Sequence, residues 1–387
     1  MRILHVTQVY DPFLEKGGPA LKVKAIAEHL VRKGHEVTVL TTTYDPAQVS
    51  GTVRREGVEV VYLPALATYR ATTLNPGVFG FCRKRLREFD IVHIYGLYDL
   101  LGPAVARYAR RWGVPYLVEP LGMFRPIDRG FLLKRLWHAL FGDNFLQGAT
   151  VLIATSEQES EELVSDGFSP SRLFLRYNGL DLAAFQHLPG REVFRERWGL
   201  PPDELVVLFL GRLIPRKGAD LLIASFAEAC PHQGRLVIVG PEGETGYLRF
   251  LREEAEKQAV AARVLFTGPL FGEYKKEALV AADIFALPSR YENFGNAAAE
   301  AIACSVPVIV TDTCGINRLV NGRSGLAIER TRQALVAALR ELADNHELRN
   351  RFRSACPALA ASLDWDRLIE PMEQLYQTEI DRHGELR

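Results

Sequence analysis

IFALPSRYENFGNAAAEAIA, residues 284–303, is the stretch that decides the fold of this chain. Its apolar beginning, 284–287, predicts a buried strand, and its alanine-rich end predicts a helix. The turn between them contains Gly295 and Asn296, and we expect Asn296 to cap the helix. A strand that leads through a short turn into a helix is typical of a parallel α/β sheet.

The same alternation of β-rich runs and amphipathic stretches continues on both sides. We predict one series of strands near 2–7, 35–41, 58–63, 90–95, 114–119 and 150–155, and a second near 204–210, 235–240, 263–267, 283–287 and 306–311. Turn residues concentrate at Tyr177–Asp181 and Leu188–Gly190, which indicates a domain boundary. The pattern therefore predicts two doubly wound sheets that face each other, with a binding site in the cleft between them.

Composition excludes several classes of protein. The 387 residues include 48% hydrophobic and 24% charged side chains, which favours folded domains over disorder. Lys plus Arg and Asp plus Glu number 47 each, so no net field favours nucleic acid as a partner. The five cysteines form no C-x₂-C pair, which argues against a zinc site or disulfide framework and favours a reducing cytoplasm. The sequence contains no uninterrupted run of about 18 apolar residues, so it predicts no membrane-spanning helix.

A basic loop follows one predicted strand. Gly211–Gly218 comes directly after the apolar run Leu205–Leu210. Its glycines let the backbone approach a ligand, and Arg212 and Lys217 are cations that suit phosphate oxygens. The loop lacks the G-K-[ST] ending of a P-loop. A phosphate site and a solvated basic turn both remain open on this segment alone.

Two carboxylates accompany the turn and helix at 288–303. Glu292 lies in the turn, and Glu300 lies four residues after Asn296, on the same helical face one turn deeper. A helix N-terminus offers free N–H groups and a positive dipole end to a diphosphate. A carboxylate beside it suits the vicinal hydroxyls of a ribose or sugar. The alternative is two solvated glutamates on a surface loop and helix.

Together these motifs resemble the retaining family 4 glycosyltransferases of the GT-B fold. The E-x₇-E spacing of Glu292 and Glu300 is similar to that family's signature, and Arg212 with Lys217 match its paired basic residues. The resemblance extends along the chain in the family's order: the glycine loop Gly17-Gly18-Pro19, the interdomain segment Asn178–Asp181, and the start of the last helix at Asp364–Asp366.

The resemblance implies an α/β architecture of GT-B type, with two Rossmann-like doubly wound parallel sheets facing across a cleft. It divides the chain into an acceptor-side domain at 1–182, a donor-binding domain at 191–361, and a terminal helix at 362–387 that crosses back to the first domain.

It also implies roles for particular residues. The catalytic set would be Arg212 and Lys217, holding the donor diphosphate, and Glu292, facing the donor sugar. Glu300 would hold the ribose hydroxyls. The remaining substrate-binding positions would be Gly17 and Gly18 at the phosphates, Leu270 near the base, and Asn293, Phe294, Gly295 and Asn296 around the diphosphate.

The chain departs from the family's common pattern at two places. Many members carry a histidine in a P-H-G motif, where this chain has Leu121. Many also have a glutamate after a Gly-Gly turn, where this chain has Cys314-Gly315-Ile316. Both departures bear on the donor sugar rather than on the class of reaction.

The function that the resemblance implies is sugar transfer from a UDP- or GDP-linked donor to a saccharide or lipid-linked acceptor in polysaccharide or glycoconjugate assembly. We expect retention by front-face attack, no cofactor and no metal; Asp364-Trp365-Asp366 opens a helix rather than a metal site. The alternatives are a nucleotide-sugar epimerase and a non-catalytic nucleotide-sugar-binding protein. A dinucleotide oxidoreductase would need GxGxxG after the first strand, where Gln8–Pro12 stands.

Other segments receive structural interpretations. His5, His93 and His138 are single histidines in apolar runs, which favours core or surface positions over catalytic bases. The basic and apolar stretch at 125–141 favours an amphipathic helix packed on its own domain, with peripheral contact to anionic lipid as the alternative. We therefore expect a cytoplasmic protein, with the inner face of the membrane as a second location.

Overall fold

The computed structural model describes residues 1–13, 18–45, 47–69, 72–124, 137–230 and 232–385. The chain forms two compact units. The first contains residues 1–179 together with the segment from Trp365 onward, and the second contains Leu180–Asp364. Each unit is an α/β domain built on a mainly parallel sheet.

Eight strands form the sheet of the first unit, in the order β10-β9-β8-β7-β1-β2-β4-β3. They are β1 (Arg2–Val6), β2 (Glu36–Thr43), β3 (Gly51–Arg55), β4 (Val58–Pro64), β7 (Ile91–Tyr95), β8 (Tyr116–Glu119), β9 (Val151–Ala154) and β10 (Leu173–Leu175). A small hairpin consists of β5 (Ala67–Tyr69) and β6 (Thr72–Leu74). Only β3 is antiparallel to its neighbour in the eight-stranded sheet.

The helices of this unit cover both faces of the sheet. Those described are α1 (Gly18–Arg32), α2 (Gly77–Arg85), α3 (Leu101–Trp112), α4 (Asp143–Gln147), α5 (Glu157–Ser165) and, at the end of the chain, α14 (Trp365–Glu385). Alternate residues of β1 divide between two cores. Leu4 packs with residues of α2 and α3, whereas Ile3 packs with residues of α1 and α14. The last helix thus completes the core of the first unit.

Six parallel strands form the sheet of the second unit, in the order β13-β12-β11-β14-β15-β16. They are β11 (Val206–Leu210), β12 (Arg235–Val239), β13 (Val264–Gly268), β14 (Ile284–Leu287), β15 (Val308–Thr311) and β16 (Gly325–Ile328). The helices are α6 (Arg191–Arg197), α7 (Ala219–Ala229), α8 (Tyr247–Lys257), α9 (Gly272–Ala281), α10 (Asn296–Ala303), α11 (Asn317–Val320), α12 (Arg332–Asp344) and α13 (His346–Ser362).

All eleven strands predicted from the sequence are present, and the α/β prediction is confirmed. The central strands are buried along their whole length, which explains their continuous apolar runs. The five cysteines are buried and none forms a disulfide within the described parts of the chain.

Candidate functional site

The strand order of the second unit reverses beside β11. From β11 the chain moves outward to β12 and β13, then returns to the other side of β11 as β14 and continues outward to β16. Such a switch point leaves a crevice at the carboxyl ends of the two central strands. The loop after β11 and the loop after β14 both end there, and they contain most of the predicted site residues.

The loop after β11 is tightly constrained at its end. A single helical turn at Pro215–Lys217 leads to Gly218, whose φ is +75°. A Cβ at Gly218 would lie 2.3 Å from the carbonyl oxygen of Pro288, on the neighbouring loop. Only glycine fits this position. Arg212, earlier in the loop, is exposed, and its side chain makes no hydrogen bond or ion pair with a described residue.

The loop after β14 ends in the helix that the sequence predicts, but the cap differs. Gly295, with φ of +106°, occupies the N-cap, and Asn296 is already the first residue of α10. The prediction that Asn296 caps the helix is therefore wrong. A Cβ at Gly295 would lie 2.8 Å from the Sγ of Cys314. The chain must turn sharply against residue 314, and glycine permits the left-handed backbone that this requires.

The surrounding contacts hold the loop after β14 in place. Phe294 is buried, and its carbonyl oxygen accepts a hydrogen bond from the N–H of Ile316 at 2.8 Å. Glu292 exchanges two backbone hydrogen bonds with the 313–315 segment. Cys314 and Ile316 thus lie directly against this turn and support it.

Lys217 and Glu292 form an ion pair between the two loops. Their side chains are 15% and 21% exposed. A backbone hydrogen bond of 2.8 Å from Arg290 to the carbonyl of Arg216 runs beside it. Two residues that the sequence analysis assigned to catalysis are therefore brought together although 75 positions separate them.

Glu300 has a partner that the sequence did not indicate. Its Oε1 accepts a hydrogen bond from the Nζ of Lys275 at 2.8 Å. Lys275 lies on α9, and Glu300 lies in the second turn of α10. Both side chains are about one quarter exposed, 28% and 23%. The second oxygen of Glu300 has no hydrogen bond to a described residue, so the carboxylate can still accept one from a hydroxyl.

The remaining predicted positions of this unit lie near the same edge of the sheet. Asn293 is half-buried in the loop after β14, and Leu270 is half-buried just after β13. β13 is two strands from β11 in the sheet, so Leu270 lies farther from the switch point than the other residues.

In the first unit, only part of the predicted glycine loop can be placed. Gly18 is exposed and begins α1, whereas Gly17 lies outside the described residues. The strand order also reverses here, because β1 lies between β7 and β2. β1 ends at Val6, at that second switch point, and α1 begins at Gly18.

A buried glutamate holds the turn that follows β8. Leu121 has a φ of +60°, and the next N–H, of Gly122, donates to the Oε1 of Glu159 at 2.5 Å. The other oxygen of Glu159 accepts from the N–H and hydroxyl of Thr155 at 2.8 and 2.9 Å. Burial raises the pKa of Glu159. The sequence indicates Glu159 as the partner of Ser156 in a helix cap, but it does not indicate the contact with Gly122, which is 37 positions away.

A second buried glutamate, Glu119, lies at the end of β8. It pairs with Lys22 on α1 at 2.5 Å and with Arg176 after β10. Burial alone would raise the pKa of Glu119, but the charges and hydrogen bonds of Arg176 and Lys22 hold it below its usual value. Through these ion pairs, Lys22, Glu119 and Arg176 link α1 to the carboxyl edge of the sheet.

The histidines near this cluster occupy the core, as the sequence predicts. His5 and His93 are fully buried, with ring centroids 5.7 Å apart. Burial lowers the pKa of His5 to about 3, and burial together with neighbouring cations lowers the pKa of His93 well below its usual value. His93 Nδ1 lies 2.5 Å from the hydroxyl of Tyr376 on α14. Burial therefore favours the neutral form of both rings.

The described helices include none that is long and apolar enough to cross a membrane. The stretch predicted as an amphipathic segment, 125–141, lies outside the described residues as far as residue 136. Within its described end, Trp137 is buried and its indole N–H donates to the carbonyl of Asp99 at 3.2 Å.

The paired Rossmann-like domains and the basic switch-point loop define a glycosyltransferase of GT-B type, and comparison with known proteins agrees. Residues 190–357 match the family Glycosyl transferases group 1, and residues 17–179 match the Glycosyl transferase 4-like domain. The chain belongs to the group 1 glycosyltransferases and is a nucleotide-sugar-dependent glycosyltransferase.

Its relatives include two enzymes named D-inositol 3-phosphate glycosyltransferase. The one from Xylanimonas cellulosilytica is 30% identical, over 94% of this chain and 92% of its own length. The one from Kineococcus radiotolerans is 28% identical, over 96% and 93%. The resemblance noted in the sequence is thus confirmed along nearly the whole chain.

Solved structures share the fold. HepE of Anabaena, in complex with UDP and glucose, has a TM-score of 0.78 at 20% identity, covering 98% of this chain and all of its own. Sucrose-phosphate synthase of Thermosynechococcus elongatus has a TM-score of 0.77 at 20% identity, covering 97% and 98%. These similarities confirm the GT-B prediction.

Proposed function

We propose that this protein transfers a sugar from a UDP- or GDP-linked donor to a saccharide or lipid-linked acceptor, with retention of configuration and without a metal ion or other cofactor. We place this reaction in polysaccharide or glycoconjugate assembly, in the cytoplasm or at the inner face of the membrane. The donor would bind to the second unit at the β11/β14 switch point.

The observation that carries the proposal is the meeting of two cations and a helix N-terminus at that switch point, where Arg212 is unpaired among the described residues and Lys217 is paired with Glu292. Arg212 is exposed without a partner among the described residues, and the Nζ of Lys217 reaches the neighbouring loop. The N-terminus of α10 adds its dipole at the same edge. A leaving nucleoside diphosphate gains negative charge in the transition state, and fixed cations of this kind stabilise it. They would take the place of a metal ion.

Known relatives support the donor class. HepE of Anabaena has been solved with UDP and with UDP-glucose, which favours a uridine nucleotide here. The relatives named D-inositol 3-phosphate glycosyltransferase, by their name, glycosylate a hydroxylated phosphate compound. An acceptor with sugar-like hydroxyls fits the name of these relatives.

The proton of the acceptor hydroxyl needs a base. Leu121 cannot serve as this base. Glu159, which holds the turn around Leu121, already accepts hydrogen bonds on both of its oxygens. His93 is buried with a lowered pKa in the core. We therefore assign the proton to the departing phosphate oxygen, on the same face of the sugar as the attacking hydroxyl, which retains the configuration.

The test is transfer from UDP-glucose and GDP-mannose to a panel of saccharides, inositol phosphates and polyprenyl-linked sugars, in EDTA, with NMR of the anomeric proton in the product. We expect retained configuration and undiminished turnover in EDTA. Arg212→Ala should reduce kcat/KM by about 100-fold, whereas Arg249→Ala, at an 82% exposed position of α8, should not.

Inverted product would overturn the proposed stereochemistry, and loss of activity in EDTA that Mg²⁺ restores would overturn the metal-free mechanism. Donor binding without transfer to any acceptor, accompanied by epimerised donor sugar, would favour the epimerase alternative.

A further inference from the structure

A groove of about 890 Å³ crosses the surface of the first unit. Its walls come from α2, from α3 and α4, and from the residues that follow β6. This face of the sheet is opposite to the one covered by α1 and α14. The groove has the volume of a small-molecule site, and none of the proposed donor residues lines it.

One part of the groove is apolar and accessible. Phe79 and Leu74 are 44% and 41% exposed, and Phe141 and Pro103 are half-buried beside them. Phe145 and Val78 are buried and line its floor. Burying exposed apolar side chains against a ligand chain is favourable. A surface of this kind favours a ligand with an apolar chain.

The other part of the groove is basic. Arg107 and Arg111 lie four residues apart on α3, so they point to the same side of the helix, and Arg110 lies between them in sequence. All three are exposed. Arg110 donates to the carbonyl of Asn144 at 3.1 Å, whereas Arg107 and Arg111 have no ion pair with a described residue. None of the described lining side chains is acidic.

The two parts follow one another along α3. Leu100, Pro103 and Ala104 line the groove at the beginning of the helix, and the arginines line it toward the end. At 1.5 Å per residue, Leu100 and Arg111 are separated by roughly 16 Å along the axis. A ligand that occupied both parts would need an anionic group at one end and an extended apolar segment.

We propose that this groove binds an anionic amphiphile, a molecule that joins a phosphate-type group to a single apolar chain. The guanidinium groups of Arg107 and Arg111 bind the anion, and the chain lies along Ala104 and Phe79. A solvated basic helix face would not explain the exposed ring of Phe79, and an apolar patch would not explain the three arginines beside it. A phosphate-type group joined to an apolar chain is the chemistry of the lipid-linked acceptor proposed above, so the inference rests on that function. Transfer in the acceptor panel tests the function, and binding of decyl phosphate tests the groove.

Calorimetry with decyl phosphate below its micellar concentration tests the site. Inorganic phosphate and the neutral tetraethylene glycol decyl ether are the comparison ligands. We expect decyl phosphate to bind at least about tenfold more tightly than either, since both parts of the groove contribute. Saturating UDP should leave this binding unchanged, which separates it from the donor site.

Three variants locate the binding. Arg107→Gln combined with Arg111→Gln should weaken binding of decyl phosphate by about tenfold or more without affecting the neutral ether. Ala104→Trp should fill the apolar part and weaken both amphiphiles. Arg32→Gln is the matched control, because Arg32 is exposed on α1, in the layer that covers the opposite face of the sheet. Circular dichroism and the urea midpoint verify that each variant is folded.

Vesicles of phosphatidylcholine with and without phosphatidylglycerol distinguish a lipid source from a free amphiphile. Binding to anionic vesicles that both groove variants reduce would identify a bilayer lipid as the ligand. Vesicle binding that Ala104→Trp leaves unchanged, equal affinities for decyl and inorganic phosphate, or competition by UDP would each overturn the proposal.

Discussion

Lys217 and Glu292 neutralise each other across the two loops that meet at the β11/β14 switch point. The ammonium group of Lys217 lies at the edge where we propose that a diphosphate binds, but it is already paired with the carboxylate of Glu292. A bound diphosphate would have to share the lysine with Glu292 or replace it. The two residues should therefore affect nucleotide affinity in opposite directions.

Glu292→Gln should tighten the binding of a nucleoside diphosphate by several-fold, because it removes a negative charge near the phosphates and releases Lys217. The same substitution should slow transfer, since the family resemblance implies that Glu292 faces the donor sugar. Titration calorimetry with UDP and GDP and a turnover assay measure both effects. Glu253→Gln, on the exposed side of α8, removes the same charge elsewhere and should change neither.

Lys217→Met should weaken nucleoside diphosphate binding by about ten- to 100-fold, because a charge-assisted hydrogen bond to phosphate is lost and Glu292 is left unpaired. Lys257→Met, at a 74% exposed site, is the control. If the double variant Lys217→Met/Glu292→Gln binds a nucleoside diphosphate as tightly as Glu292→Gln alone, Lys217 contributes nothing once Glu292 is neutral, and its assignment to the diphosphate is wrong.

Glu300 should discriminate ribose from deoxyribose. The parent should bind UDP more tightly than 2′-deoxy-UDP by about tenfold, the effect of one hydrogen bond to a charged acceptor. Glu300→Ala should bind both nucleotides equally. Lys275→Met, which removes the present partner of Glu300, should retain the preference. A preference that survives in Glu300→Ala would place the ribose contact on another residue.

We expect the carboxylate of Glu159 to stabilise the turn at Leu121 and Gly122 rather than the helix that contains Glu159. Glu159→Ala leaves three donors without their acceptor and should lower the free energy of unfolding by about 2–4 kcal/mol. Glu370→Ala, at an exposed position of α14 in the same unit, should cost less than about 0.5 kcal/mol. Urea denaturation measures both, and equal effects would contradict the role of Glu159.

Acid should destabilise the first unit through its buried histidines. The folded pKa of His5 is about 3, whereas the unfolded chain takes up this proton near the ordinary value of 6.5. Between these values the unfolded state binds more protons, so the free energy of unfolding falls as the pH falls, by up to about 1.4 kcal/mol per pH unit for this group. His93, whose pKa is also lowered, acts with the same sign.

His5→Phe isolates the contribution of His5, because both ring nitrogens of His5 lack hydrogen-bond partners among the described residues and an aromatic ring fits the same neighbours. Urea denaturation between pH 7.5 and 5 should show a smaller loss of stability for the variant than for the parent. Curves that remain parallel over this range would contradict the assignment of His5 as neutral in the fold.

Most of the strands that the sequence predicted lie inside their sheets, where an apolar run and a following turn stand out; β13, at one edge of the second sheet, is the exception. The strands it missed include β3, β10 and β16, which lie at the edges of the two sheets. β10 has three residues, and β3 carries exposed polar side chains. Short or half-polar edge strands lack the periodicity on which prediction depends.

The candidate site was predictable to the extent that it is local. Glycine at 218 and 295, cations at 212 and 217, and a helix start after β14 all follow from short segments. The helix cap was misplaced by one residue, because the left-handed turn at Gly295 depends on Cys314, from another loop.

The sequence by itself determined two α/β domains, the loops that end at a switch point, and the family to which the chain belongs, because each depends on patterns within about twenty residues. Only the tertiary structure decided which charges meet. Glu119 joins Lys22 and Arg176, Lys217 joins Glu292, and Glu159 reaches the turn at Gly122. These contacts depend on which strands are neighbours in the sheet and on burial, which strengthens each interaction by excluding water.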